Sequence, residues 1–279
     1  MNILEYLTND KRNTIFIVTG REAKLVSDWF SNVANLGLAS EHGFLFRYSS
    51  EDKSKDSWER MISNFNIEWR SFTVEHLEPY TERCEGSFIE IKEASVVWQY
   101  RDCDPELGKS FANVITLDLE SILRNLNLNI INGKGYVEVK PKGINKGAFL
   151  SFILKDLIKI GKTPDFVMTV GDDTADEAMF QYLKKKKNTI KNYSKYLKTY
   201  SITVGKKPSS ADSYVDTPHD VKNLLEMFMQ CSLKKRMSNS TFNIKQLNSL
   251  NDSTTGEQIS SSSKDRLGLH HIEDAISDK

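Results

Sequence analysis

Between Asp172 and Glu177 the chain places four carboxylates, Asp172, Asp173, Asp176 and Glu177, directly behind the apolar run Asp165–Gly171, "DFVMTVG". Hard oxygen donors gathered beyond a buried strand suit Mg²⁺, which takes one or two carboxylates and completes its shell with water and substrate phosphate. The same acids have another use. Asp in the first turn of a helix accepts from free backbone amides and sits favourably against the helix dipole. Two other segments offer partners for a phosphate. Thr19 ends the run "TIFIVTG", where its hydroxyl, the Gly20 amide and the start of the next helix can reach one oxygen. Lys146, in "KPKGINKGAF", stands next to a glycine just ahead of a helical pattern, placed to neutralise a transferring phosphoryl group. Each dipeptide alone is also ordinary loop and cap chemistry.

These side chains need elements to hold them. "TIFIVTG", "DFVMTVG" and "YSITVG" are short apolar runs without alternation, and the first two run straight into segments with helical spacing, such as Leu25, Trp29 and Val33. Buried strands interleaved with helices predict an α/β fold with a Rossmann-like parallel sheet covered on both faces, and ligands bind beyond the carboxyl ends of such strands. Between the runs, "SFIEIKEASVVWQYR" and "GYVEVKP" alternate apolar with polar residues, as half-exposed antiparallel strands do. With the helical "DPELGKSFANVITLDLESIL" between them, they predict a smaller inserted α+β domain. The expected organisation is core over 1–47, insert over 48–139, core again over 140–232 and a disordered tail over 233–279. The tail is rich in Ser, Asn, Thr and Lys and poor in aromatics. The run "KKKKNTIKNYSKYLK" (184–198) reads as a surface loop or a helix extension.

Composition narrows the functional classes. Lys plus Arg and Asp plus Glu both number 38, so no global charge draws the chain to nucleic acid or an anionic membrane. Cys84, Cys103 and Cys231 lack zinc-type spacing and an even disulfide count, which favours a reducing, cytoplasmic setting. No apolar run reaches membrane-spanning length and the N-terminus has no signal pattern.

Taken together, "NTIFIVTGR", "LGLASEHGFLFR", "GSFIEIKEASVVWQYRDCDPELG", "GYVEVKPKGINKG", "PDFVMTVGDDTADEAMF" and "SITVGKKPSSADSYVD" resemble the trehalose-6-phosphate phosphatase family of the haloacid dehalogenase superfamily, over about residues 2–228. The likeness is strongest to the phosphatase-like domain fused behind a glycosyltransferase in bipartite trehalose phosphate synthases. The resemblance implies Mg²⁺-dependent hydrolysis of trehalose 6-phosphate, with the insert acting as a cap over the sugar. It also implies roles: Thr19 as the phosphate-binding hydroxyl, Lys146 as the third-motif lysine, and Asp172 and Asp173 as Mg²⁺ ligands. Asp176 and Glu177 complete that last signature. Lys92, Arg101 and Glu138 on the cap, and Arg21, Glu41 and His42 on the core rim, fall where the family's sugar or phosphate contacts lie. The charges at Lys92 and Glu138 also fit the exposed face of a strand. The family often has His where this chain has Gln99.

The superfamily's first motif, two aspartates separated by one residue after an apolar strand, supplies the nucleophile and the acid/base. The only such spacing is Asp102-Cys103-Asp104, which follows an insert strand and is continued by Pro-Glu instead of Gly-Thr, so it reads as an acidic loop. By resemblance the strand bearing that motif is the central one, between the second-motif and fourth-motif strands, and Met1 falls downstream of it. The expectation is therefore a phosphatase fragment that does not turn over as given. The alternative is a non-catalytic module that binds sugar phosphate or scaffolds a synthase.

Overall fold

The computed structural model describes residues 3–48, 57–63, 66–191 and 197–251. A short helix α1 (Ile3–Thr8) leads to strand β1 (Phe16–Val18), helix α2 (Ala23–Trp29) and strand β2 (Gly37–Ser40). The β1–α2–β2 crossover makes β1 and β2 parallel, with Phe16 opposite Gly37 and Val18 opposite Ala39. The side chain that α2 buries is Val26, while Leu25 and Trp29 are exposed, so the apolar stripe expected from Leu25, Trp29 and Val33 is not the packed face. A 3₁₀ turn, Glu41–Gly43, then leads into β3 (Leu45–Arg47), followed by β4 (Glu59–Arg60). So short a link cannot cross over a sheet, and β3 runs antiparallel to β2, as does β4 to β3. This sheet is thus mixed, parallel at β1–β2 and antiparallel where β3 and β4 extend it.

The insert follows, with α3 (Glu68–Arg83), β5 (Phe88–Ile91), β6 (Val96–Gln99), α4 (Pro105–Ile122), β7 (Leu128–Gly133) and β8 (Tyr136–Pro141). Its strands form an antiparallel sheet in the order β5-β6-β8-β7. Val96, Trp98, Val137 and Val139 point to one face and pack on Trp69 and Leu77 of α3 and on Ile115 and Leu119 of α4. Trp98 is fully buried there, a burial whose loss on truncation to Ala costs about 3–5 kcal/mol. Period-two alternation sends Glu90, Gln99, Tyr136, Glu138 and Lys140 to the other face. Cys84 and Cys103, distant in sequence, meet in this core, where burial pushes the Cys103 thiol up to about 12.

The chain returns through α5 (Lys146–Lys159), β9 (Phe166–Gly171), a 3₁₀ turn (Thr174–Asp176), α6 (Glu177–Lys191), β10 (Lys198–Val204), β11 (Ser213–Val215) and α7 (Pro218–Asn251). Here β9, β10 and β11 are parallel, in the order β11-β10-β9. Helix α5 joins this sheet to the first. Its Phe149, Ile153 and Leu157 pack with Ala39 and Phe46, and its Leu154 packs with Val167 of β9. Gly147 permits the contact with α6, since a Cβ there would lie 2.2 Å from the Ala178 carbonyl oxygen. Both β1 and β9 end their sheets, so each keeps one edge without a strand partner among the described residues.

The Lys-rich run is a helix extension as far as Lys191, and residues 192–196 lie outside the described residues. The tail expected over 233–279 begins within α7, which runs Pro218–Asn251. The Leu, Lys, Arg, Met and Gln residues of that stretch favour helix. The remainder, 252–279, lies outside the described residues.

Candidate functional site

The carboxyl ends of β1 and β9 and the polar face of the insert supply the groups singled out in the sequence. Thr19 follows β1 directly, its N–H donating to Ala39 O at 2.9 Å and its Oγ1 accepting from the Arg21 N–H at 3.2 Å. The His42 N–H donates to Thr19 O at 2.8 Å, and the His42 ring packs on Gly20, where a Cβ would come within 2.9 Å of it. Gly20 is therefore needed for the ring to reach this loop.

At β9, Gly171 is required by close approach too, since a Cβ would meet the Asp176 carboxyl at 2.2 Å. Asp173 caps the 3₁₀ turn, accepting from Thr174 N–H at 2.6 Å, and Asp176 reciprocates by accepting from Asp173 N–H at 2.9 Å. The capping use of the acids thus holds for Asp173 and Asp176. It does not account for Asp172, whose side chain is exposed while its carbonyl oxygen accepts from Lys207 Nζ. Glu177 is engaged elsewhere, accepting from Ser209 Oγ at 2.5 Å and Ser210 N–H at 2.7 Å. Burial raises its pKa, but these hydrogen bonds together with Lys207 outweigh that and hold the carboxyl below its ordinary range.

Lys146 opens α5 behind the N-cap Asn145, whose side chain accepts from Ala148 N–H at 2.9 Å. Its Nζ lies 2.6 Å from Asp176 Oδ1 with both groups buried. Lys146 and the acid turn are thereby fixed to each other. Asp172 and Asp173 present two exposed carboxylates, a set that fits a hard cation completed by water and phosphate. Among the described residues no group of three or more His, Cys, Asp or Glu side chains forms a fuller cage.

On the insert, Glu138 accepts an ion pair from Lys140 at 2.8 Å, Lys92 lies 3.2 Å from Glu90, and Gln99 Nε2 donates to Glu90 at 2.9 Å. Glu138, Lys140 and Lys92 of this set lie near His42 of the core. Burial, followed by the nearby Lys140, Lys146 and Lys92 charges and only partly offset by Glu138, lowers the His42 pKa to about 4. Tyr136 faces Glu138, Asp173 and Arg101; its pKa is raised by burial first and then by those two carboxylates. Of the expected residues, Thr19, His42, Lys92, Glu138, Lys146 and Asp173 thus come together with Asp172. Arg21 and Arg101 are exposed. Glu41 is buried and turned to backbone amides of the insert. Glu90, Tyr136 and Lys140 are additional members. The alternation Tyr136-Val137-Glu138-Val139-Lys140 carried the signal for two of them.

Asp102 and Asp104 follow β6 in the turn that leads into α4. Asp104 caps α4, accepting from Glu106 and Leu107 N–H groups at 3.1 and 2.8 Å, which is the acidic-loop reading. A surface hollow of about 690 Å³ beside Ala23, Trp58, Arg60 and Glu93 is lined by none of Thr19, Lys146, Asp172 or Asp173.

The trehalose-phosphatase family model matches residues 1–219. A probable alpha,alpha-trehalose-phosphate synthase (UDP-forming) of Arabidopsis thaliana is 37% identical over 227 residues, 81% of this chain and 26% of that protein. The trehalose-phosphatase of Zygosaccharomyces rouxii is 30% identical over 253 residues, 82% of this chain and 28% of that protein. The chain thus spans about a quarter of the length of the curated relatives it matches. Among solved structures, the C-terminal domain of C. albicans trehalose-6-phosphate phosphatase is similar with a TM-score of 0.64 and 29% identity, covering 82% of each chain. The haloacid dehalogenase-like hydrolase of Bacteroides thetaiotaomicron shares the fold, with a TM-score of 0.58 at 13% identity. With a match that runs from the first residue through β11 and takes in Thr19, Lys146, Asp172 and Asp173, the chain belongs to the trehalose-phosphatase family.

Proposed function

We propose that this chain is the trehalose-6-phosphate-binding part of a Mg²⁺-dependent phosphatase of trehalose biosynthesis, working in the cytoplasm and joined or associated with a trehalose phosphate synthase. The carrying observation is the convergence of Thr19, Lys146, Asp172 and Asp173 opposite the polar face of the insert. Thr19 Oγ1 and Lys146 Nζ hold the phosphate. Lys92, Glu138 and Arg101 of the cap bind sugar hydroxyls or phosphate oxygens, with Arg21 and His42 on the rim. Asp172 and Asp173 would hold Mg²⁺, which neutralises phosphate charge when bound. The roles of the acids are separable: Asp172 faces outward, while Asp173 and Asp176 also shape the turn that presents it.

A second reading, a non-catalytic phosphatase-like module that binds sugar phosphate or scaffolds a synthase, is favoured by one observation. The Asp-x-Asp pair of this chain stands ahead of a helix of the insert, with Asp104 capping that helix, instead of lying at the carboxyl end of a core strand. Phosphoryl transfer through a covalent aspartyl intermediate needs a carboxylate in line with the leaving oxygen, and positioning alone does not supply it.

Calorimetric titration with trehalose 6-phosphate, with and without Mg²⁺, together with a phosphate-release assay tests both readings. The 279-residue chain should bind the sugar phosphate, more tightly with Mg²⁺, and release no phosphate above buffer. Lys146→Ala should weaken binding by roughly tenfold or more, the loss of one charge-assisted hydrogen bond. Absence of binding would overturn the sugar-phosphate reading. Phosphate release abolished by D102N or D104N would overturn the assignment of those acids to the insert's cap.

A further inference from the structure

Among the described residues, the Glu41–Gly43 turn is the one place where three successive residues take left-handed backbone, with φ of +47°, +60° and +96° at Glu41, His42 and Gly43. Left-handed backbone at the two non-glycine residues costs on the order of 1 kcal/mol each. What the conformation achieves is visible in its bonds. The backbone faces the phosphate-directed loop: Glu41 N–H donates to Arg21 O at 3.1 Å and His42 N–H to Thr19 O at 2.8 Å. The Glu41 side chain faces the other way, into the insert. Its Oε1 accepts from Glu93 N–H at 3.0 Å and its Oε2 from Ala94 N–H at 2.6 Å.

Glu93 and Ala94 form the tip of the β5–β6 hairpin, closed by Lys92 N–H donating to Ser95 O at 2.8 Å. Ala94 is buried in a core cluster with Phe44, Leu45 and Ile144, so the tip is seated in the core as well as hydrogen-bonded to it. On its insert side the tip is held by Arg70 of α3, which donates to Lys92 O at 2.7 Å and Glu93 O at 3.1 Å. One residue back from the clamped amides stands Lys92, paired with Glu90 and facing His42.

We propose that Glu41 is a positioning residue and not a sugar contact: its carboxylate clamps the hairpin tip so that Lys92 and Glu90 are held in register with the Thr19–Arg21 loop. Both of its oxygens are engaged by amides, and it is only 5% exposed, which leaves it no face for a sugar. The purpose of that register rests on the sugar-phosphate reading above; the clamp itself does not.

The test uses the full 279-residue chain, the variants Glu41→Gln and Glu41→Ala, and site-resolved amide hydrogen exchange. Gln preserves volume but offers one acceptor oxygen, and its NH₂ would oppose an N–H. Exchange at the Glu93 and Ala94 amides should therefore accelerate about tenfold or more in both variants, with Ile115 and Leu119 of the insert core unchanged. Rescue by Gln would mean that Glu41 only fills space, and unchanged exchange at both amides would remove the clamp; either result overturns the proposal. Titration separates the two claims. E41Q should weaken trehalose 6-phosphate binding about tenfold while leaving inorganic phosphate binding within about twofold of wild type. If wild-type chain binds no trehalose 6-phosphate, the functional reading fails and the exchange result alone decides the clamp.

Discussion

Lys146 Nζ and Asp176 Oδ1 lie 2.6 Å apart with both side chains nearly out of solvent, and the other Asp176 oxygen accepts from the Asp173 N–H. One carboxylate thus ties the start of α5 to the turn that carries the acids. Asp176→Ala leaves an ammonium buried without its partner, so it should lose about 3–5 kcal/mol of stability. Replacing both partners, K146M with D176L, removes the uncompensated charge and should recover most of that loss. Urea unfolding of the single and double variants decides it; a double variant no more stable than D176A would show that the pair is not what holds this corner.

The two neighbouring aspartates should separate in their effects. Asp173 accepts from Thr174 N–H as the cap of the 3₁₀ turn, whereas Asp172 is exposed and makes no cap. D173A should cost about 1 kcal/mol and D173N almost nothing, since Asn caps as well as Asp. D172A should leave stability unchanged. Both D172A and D173A should abolish the Mg²⁺ enhancement of trehalose 6-phosphate binding. Full enhancement in both alanine variants would sink the metal assignment.

Which parts of this arrangement were legible in the sequence follows from the range of the interactions involved. β1, β9 and β10 announce themselves as apolar runs, although β1 is half-buried throughout and β9 and β10 are buried only at some positions. α4 announces itself through Asp104-Pro105 and a strong apolar stripe. α3 does not: it fully buries only Trp69, Thr73 and Leu77, interleaves them with charged residues, and carries Pro79 inside, a residue that normally argues against a helix. The short strands β2, β3 and β4 are defined by pairing partners and not by their own composition. The placement of Thr19, Lys146 and Asp172 was readable because each sits at the end of its own element. The hydrogen-bond partners of Glu41 and Cys103 were not, because each is brought close only by the fold: Glu93 and Ala94 for the first, Cys84 for the second.

His42 makes the site sensitive to pH in a direction that can be worked out. Burial against Gly20, with Lys140, Lys146 and Lys92 nearby, keeps the imidazole neutral down to about pH 4, while an unfolded histidine titrates near 6.5. As pH falls from 6.5 toward 4, the unfolded chain takes up a proton at this residue that the folded chain refuses. The unfolded state is then favoured, so the contribution of neutral His42 is fully present above pH 6.5 and is lost through that window, with no further change below it. The full difference amounts to about 3 kcal/mol, of which about 2 kcal/mol is lost by pH 5. His42→Gln keeps a polar group of similar size without the titration. Urea unfolding of both proteins at pH 7 and pH 5 should show wild type losing about 2 kcal/mol more than H42Q over that interval. Equal losses would mean that His42 is protonated in the folded chain as readily as in the unfolded one, and that the cationic face of Lys92, Lys140 and Lys146 does not act on it.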